Sequence, residues 1–94
     1  MNVHKLKTWP RFYKAVSTGH KGFEVRKDDR GFQTGDILIL EEWDEKSGYS
    51  GDAMAFEVSY VMKGGVFGLK KGFVVMSLGK RCAVVDIEGL RVVK

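Results

Sequence analysis

The sequence predicts a mainly β, α+β domain: a small barrel of five to seven short strands with one N-terminal helix. Three observations carry this. Glycine is frequent, at 12 of 94 residues, and separates short apolar runs, while proline occurs once; this is the signature of short strands joined by tight turns. Only one segment, near the N-terminus, has helical spacing. Short strands in a chain this small also leave edges that an open sheet would have to protect, and closure with a helix at one end removes them.

"HKLK" reads as a short first strand. A helix is expected over Pro10–Thr18, with Pro10 at the first helical position, where its missing N–H costs nothing. Phe12, Ala15 and Val16 recur at i, i+3, i+4 as one apolar stripe, and Gly19 is the stop. From there the pattern becomes β. Gly22–Arg26 is a short strand with Phe23 and Val25 on one face and Glu24 and Arg26 on the other. Phe23, Val25 and Phe32 are expected to anchor this region to the barrel. Gly35-Asp36 reads as a turn, with Gly35 at positive φ or in close approach and Asp36 fixing the backbone. "DILILEEW" is a strand whose Ile37–Leu40 run predicts burial on both faces. "DEKSGYSGD" reads as a polar loop or hairpin turn. "AMAFEVSYVM" alternates, with Met54, Phe56, Val58, Tyr60 and Met62 sharing one face. "KGGVFGLKKG" is a glycine-rich loop, and "FVVMSL" another strand. "CAVVDI" and "LRVV" read as a hairpin turning at Glu88-Gly89, a C-terminal extension over 80–94 of the single domain.

Composition excludes several classes. No apolar run approaches the roughly 18–20 residues of a membrane helix, and the N-terminus lacks the apolar core of a signal peptide. One cysteine allows no internal disulfide, so a cytoplasmic setting is expected. One cysteine and two histidines are too few for a usual structural zinc site; neither a metal nor a cofactor is expected. No Walker loop or Rossmann glycine pattern is present.

Net charge is +4 and unevenly spread. Residues 1–30 carry eight Lys/Arg against three Asp/Glu, residues 31–62 one against seven, and residues 63–94 seven against two. If the ends meet in space they form a basic face opposite an acidic one, a footprint of polyanion binding; a generally solubilising surface is the alternative.

The most informative stretch is "GHKGFEVRKDDRGFQTGD", residues 19–36. Alternation puts Glu24 and Arg26 on one strand face, with Lys21 leaning toward it. One reading is a polar site, with Lys and Arg for phosphate and Glu for a base edge, a hydroxyl or a proton. The other is an ordinary cross-strand ion pair on a solvated face. Arg26, Lys27 and Arg30 stand where a turn could present them to phosphates. Trp9 and Tyr49 are the aromatics placed to stack on bases, or to act as packing lids.

The chain from "HKLKTWP" through "GFEVRKDDRGFQTGD" to "GYSG", with "FEVSYVM" and "GFVVMSLG" beyond, resembles the DUF3850 family of the ASCH superfamily, over about residues 3–79. The family pattern runs H-x-L-K, an aromatic-bearing helix, G-x-K-T-F-E-x-R-K-N-D-R, F-x-x-G-D and Y-T-G. The resemblance implies a PUA-like fold, a small β-barrel with a helix at its entrance and a cleft between them lined by the G-x-K-x-x-E-x-R segment. It implies RNA or nucleotide binding by Lys21, Glu24 and Arg26, with Lys7, Lys27 and Arg30 on the rim, and a bacterial or phage origin. Three positions depart from the pattern. Gly22 replaces the family Thr, Asp28 replaces Asn, and Asp52 follows Tyr49-Ser50-Gly51 where the family has Arg.

A similar ASCH branch removes the acetyl group from N4-acetylcytidine with a Lys, a Thr three residues on and a distant Glu. Lys21 matches the Lys, but Glu24 stands at the Thr position and no distant Glu matches. A hydrolase of a modified nucleoside centred on Lys21 and Glu24 is therefore the alternative to binding. A module for a protein partner, acting through the acidic middle segment, is a third. The residues assign no reaction.

Overall fold

The computed structural model describes residues 1–84 and the backbone of Val92–Val93. In chain order the elements are β1 (Val3–Thr8), α1 (Pro10–Ser17), β2 (Phe23–Lys27), β3 (Ile37–Asp44), β4 (Gly48–Lys63), β5 (Phe73–Cys82) and β6 (Val92–Val93). The strands form one sheet in the order β2-β5-β4-β3-β1-β6, curled into a half-barrel. β1 runs parallel to β3 and to β6, whereas the β3–β4, β4–β5 and β2–β5 pairs are antiparallel. The expected turn at Glu88-Gly89 lies outside the described residues; Val92–Val93 pair with Val3 and His4 of β1.

The central strand behaves as its apolar run predicts. Ile37, Leu38, Ile39 and Leu40 are all at most 4% exposed, because α1 and the barrel interior lie on one side and a second cluster on the other. Leu38 and Leu40 join Leu6, Val16, Phe32, Met54, Val58, Val74 and Met76 in the main core. Ile37 and Ile39 pack with Val3 and Ala55 in the second cluster. Gly35 adopts φ 92°, the left-handed conformation that glycine takes without a Cβ clash, and the chain turns there into β3.

The helix starts at Pro10 and ends before Gly19, as expected, but its apolar stripe divides. Val16 is buried in the core with Tyr13 packed against it, whereas Phe12 is 39% exposed. Two further expectations are corrected. β4 does not keep one alternating phase, because its register against β5 shifts between Phe56 and Val58 and again between Val58 and Tyr60. The first shift puts the extra residue on β5 (Arg81 to Leu78) and the second puts it on β4 (Val58 to Tyr60 against Leu78 to Ser77). That second bulge reverses the pointing of the β4 residues after it, so Val61 reaches the core while Tyr60 stands 65% exposed.

The second correction is β2, which is turned inside out. Phe23 and Val25 are each 45% exposed and Glu24 is buried. The register explains it. Glu24 lies opposite Met76 and Arg26 opposite Val74, both core residues of β5, so the charged side of β2 shares the inner face. Phe32 does anchor the region, at 3% exposed.

The ladder ends at β2, yet β2 and the turn after it are stitched to β1 near the opposite margin. Arg26 Nη2 donates to the Lys7 carbonyl oxygen (3.0 Å) and Arg30 Nη1 to that of Lys5 (2.8 Å). Two guanidinium groups from the β2 side thus satisfy β1 carbonyls that the two-residue β6 does not reach.

Candidate functional site

A cleft of ≈ 680 Å³ opens between the end of β1, α1 and β2. That is within the range of small-ligand sites. Its walls are largely apolar: Trp9, Phe12 and Ala15 from the helix side, Phe23 and Val25 from β2. Trp9 and Phe12 lie nearly parallel, 6.2 Å between centroids at 12°.

The polar centre is a triad. Lys21 Nζ donates to Glu24 Oε1 (2.8 Å), and Arg26 Nε donates to Glu24 Oε2 (2.9 Å). The Glu24 side chain is 4% exposed, while those of Lys21 and Arg26 are 17% and 25% exposed. The inversion of β2 has its reason here. A buried carboxylate is tolerated when cations pair with it from good geometry, and the residues three before and two after Glu24 supply both. Lys21 Nζ also donates to the Phe23 carbonyl oxygen (2.6 Å) and lies 4.9 Å from the Phe23 ring centroid. Arg26 reaches the Thr8 hydroxyl as well, at 3.4 Å. Glu24 therefore does not stand out as a free acceptor; it holds two cations in place, and their remaining N–H groups form the polar surface of the cleft.

The other expected residues divide. Lys7 lines the cleft, but its Nζ lies 4.6 Å from the Trp43 ring centroid and 6.0 Å from that of Tyr49. Trp9 is at the mouth, 52% exposed. Lys27, Arg30 and Tyr49 do not line the cleft. Lys27 ends β2 on its outer face, opposite Phe73. Arg30 is engaged by the Lys5 carbonyl, and Tyr49 sits on β4 across from Trp43. Thr8 and His20 complete the lining and were not expected there from the sequence, and Phe12, one of several aromatics the sequence offers for stacking, was not among the two preferred. For Phe12 a signal existed: its i, i+3 spacing with Ala15 marks a face, though not the one toward the core.

A second buried carboxylate lies elsewhere. Asp36 accepts from the backbone N–H groups of Asn2 (3.1 Å) and Gln33 (3.0 Å) and from His4 Nε2 (3.0 Å). Burial alone would raise its pKa. The His4 hydrogen bond, the two backbone N–H bonds and the His4 charge outweigh it and hold the carboxyl below its ordinary value. An ionised Asp36 can only accept, so His4 Nε2 is the donor in this bond. Nδ1 is buried and has no partner among the described residues, and the ring packs 4.7 Å from Phe32. Asp36 thus fixes the turn before β3, as its place after Gly35 predicts. Its link to His4, 32 residues away, was not visible in the spacing.

A curled half-barrel, stitched at its seam by arginines, with a polar triad in a cleft under one helix, defines a small α+β barrel domain with a single-ligand-sized site. The model of the DUF3850 family, described as a domain of unknown function, matches residues 3–78, and the chain belongs to that family. It is also similar to the "Uncharacterized 12.9 kDa protein in GpA 3'region" of Escherichia phage P2, with 42% identity over 41 residues. That match spans 44% of this chain and 38% of the phage protein. Among the described residues no helix is long and apolar enough to cross a membrane.

Proposed function

We propose that the protein binds RNA, taking an unpaired nucleotide into the cleft between α1 and β2. The observation that carries this is the triad: two cations fixed on one buried carboxylate, beneath walls of Trp9, Phe12 and Phe23. Aromatic walls stack any base, and the spare N–H groups of Lys21 and Arg26 suit a phosphate or a base carbonyl. Glu24 acts through them by holding their geometry. The resemblance to ASCH domains points the same way, and the phage relative favours a phage or prophage origin and work in the host cytoplasm.

The test is binding of single-stranded RNA at low salt. Affinity should fall steeply as salt rises, and Lys21→Ala should weaken it about tenfold, as expected for loss of one charge-assisted hydrogen bond. Binding that stays immeasurable at low salt, or that ignores salt, sinks the phosphate-contact reading.

The 2.8 Å contact of Lys21 Nζ with Glu24 Oε1 also favours a second reading, proton transfer in hydrolysis of an N4-acylated cytidine. Turnover of such a nucleoside that disappears in Lys21→Ala would establish it, and turnover that persists would exclude this mechanism.

A further inference from the structure

The outer face of β2, β5 and β4 is uncovered by any described element, and its register gathers apolar side chains in rows. Phe23 lies opposite Ser77, and Ser77 opposite Tyr60; Val25 lies opposite Val75, and Val75 opposite Met62; Lys27 lies opposite Phe73. Directly paired residues point to the same side of a sheet. The bulge that puts Tyr60 outside therefore places its ring in one row with Phe23. Both are widely exposed, at 65% and 45%. Phe23 and Val25 also line the cleft, so cleft and face are continuous across β2.

The charge on this part of the chain is of one sign. From Ser59 to Cys82 there are five Lys/Arg and no Asp or Glu. Lys27 adjoins the same region, since Asp28 N donates to the Gly72 carbonyl oxygen (2.8 Å). The loop joining β4 to β5 carries Phe67, 93% exposed and at φ 50°. A bulky residue seldom adopts that conformation. The loop's own bonds hold it there, Gly65 N to Leu69 O at 2.7 Å and Leu69 N to Val66 O at 2.9 Å. An aromatic kept in a strained conformation with its ring in water is the kind of feature found at binding surfaces. An apolar sheet face bordered by Lys27, Lys63, Lys70 and Lys71, with Asp28, Asp29 and Glu57 as the nearby acids, keeps a net positive surround and complements a polyanion with stacking faces.

We propose that this face is a second RNA subsite: a single strand with one nucleotide in the cleft continues over Phe23, across β5 to Tyr60, and past the Lys-bearing loop at Phe67. The proposal rests on the RNA reading of the cleft and extends it from a nucleotide to a strand.

The test uses the full chain and two probes, a fluorescein-labelled random-sequence RNA octamer by anisotropy and the four nucleoside 5′-monophosphates by calorimetry. The octamer should bind at least tenfold tighter than the best monophosphate. Tyr60→Ala and Phe67→Gly should each weaken the octamer about tenfold, the loss of one stacked base, and leave monophosphate affinity unchanged. Phe67→Gly also relieves the left-handed strain, so its melting temperature should hold or rise, which separates lost binding from lost fold. An octamer no tighter than the monophosphate, or one bound equally by both variants, overturns the subsite and leaves the cleft reading standing. Octamer binding sensitive to Tyr60→Ala with no monophosphate binding supports the face and overturns the cleft. Failure of both probes overturns both. A dimer in light scattering that Tyr60→Ala dissolves assigns the face to a second copy and overturns the proposal.

Discussion

Glu24 and Asp36 are both carboxylates buried to within a few percent, 3% and 4% exposed, and they are held in opposite ways. Asp36 is enclosed: two backbone N–H groups and one histidine converge on it from the start of β1 and the turn before β3. Nothing in that cluster faces the cleft. Glu24 is met by two long cationic side chains that are themselves partly in solvent. Each of those cations is held by Glu24 and by a backbone carbonyl, and both line the cleft. The difference teaches how to read a buried charge. Partners drawn from the backbone make it a fastening, and partners drawn from cationic side chains at a cleft make it a device for aiming those cations.

The largest effect expected from this contrast is at Asp36. Asp36→Ala removes three hydrogen bonds to a charged acceptor and should cost about 3–5 kcal/mol, as for other broken buried charge clusters. In a domain of this size that lowers the melting temperature by well over ten degrees. RNA affinity of the protein that remains folded should be unchanged. A melting temperature within a few degrees of wild type would break the distinction.

Glu24→Gln should come next, at about 1–3 kcal/mol, since the shape survives but the two cations lose their counter-charge. Unlike Asp36→Ala, it should weaken RNA binding. Tightening instead would show that Glu24 competes with phosphate for Lys21 and Arg26.

Acid sharpens the contrast further. The Asp36 carboxyl titrates lower in the fold than when free, so below its ordinary value of 3.8 the unfolded chain takes up a proton before the folded one does. Stability from this group is complete above that pH and drains away as the pH falls through the lower, folded value. Urea melts should show this slope in wild type, and Asp36→Asn should flatten it.

The smallest effect concerns the seam. Arg30→Ala leaves the Lys5 carbonyl without its guanidinium and should cost about 1–2 kcal/mol, with no change in RNA affinity. Arg26→Ala, at the same seam but also in the triad, should lower both stability and affinity. Equal effects of the two arginines on binding would mean that the cleft extends to Arg30.

The fold was largely legible because its strongest signals are local. Pro10 and Gly19 bracket the helix, and the Ile37–Leu40 run marks a strand covered on both sides. Positions fixed by pairing were not legible. Alternation told that Glu24 and Arg26 share a face of β2, but the usual rule of apolar side inward gave the wrong face. Only the register against Met76 and Val74 decides it. Likewise the bulge that sends Tyr60 outward exists only in the pairing of β4 with β5, where Val58 lies opposite Leu78 and Tyr60 opposite Ser77, and neither strand's own sequence records it. Lys21, Glu24 and Arg26 could be grouped because they are close in sequence, whereas the His4–Asp36 pair depends on β1 lying beside β3.

The arginine seam has a consequence for the chain's behaviour in crowded solution. A strand at the margin of a sheet is a template for a strand of another molecule, and proteins commonly block such margins with charge. At β1 the carbonyls of Lys5 and Lys7, just past the short β6, are already occupied by Arg30 and Arg26. An incoming strand would have to displace two guanidinium groups before making its first backbone bond. The same side chains that close the barrel therefore guard it against fibril-like growth.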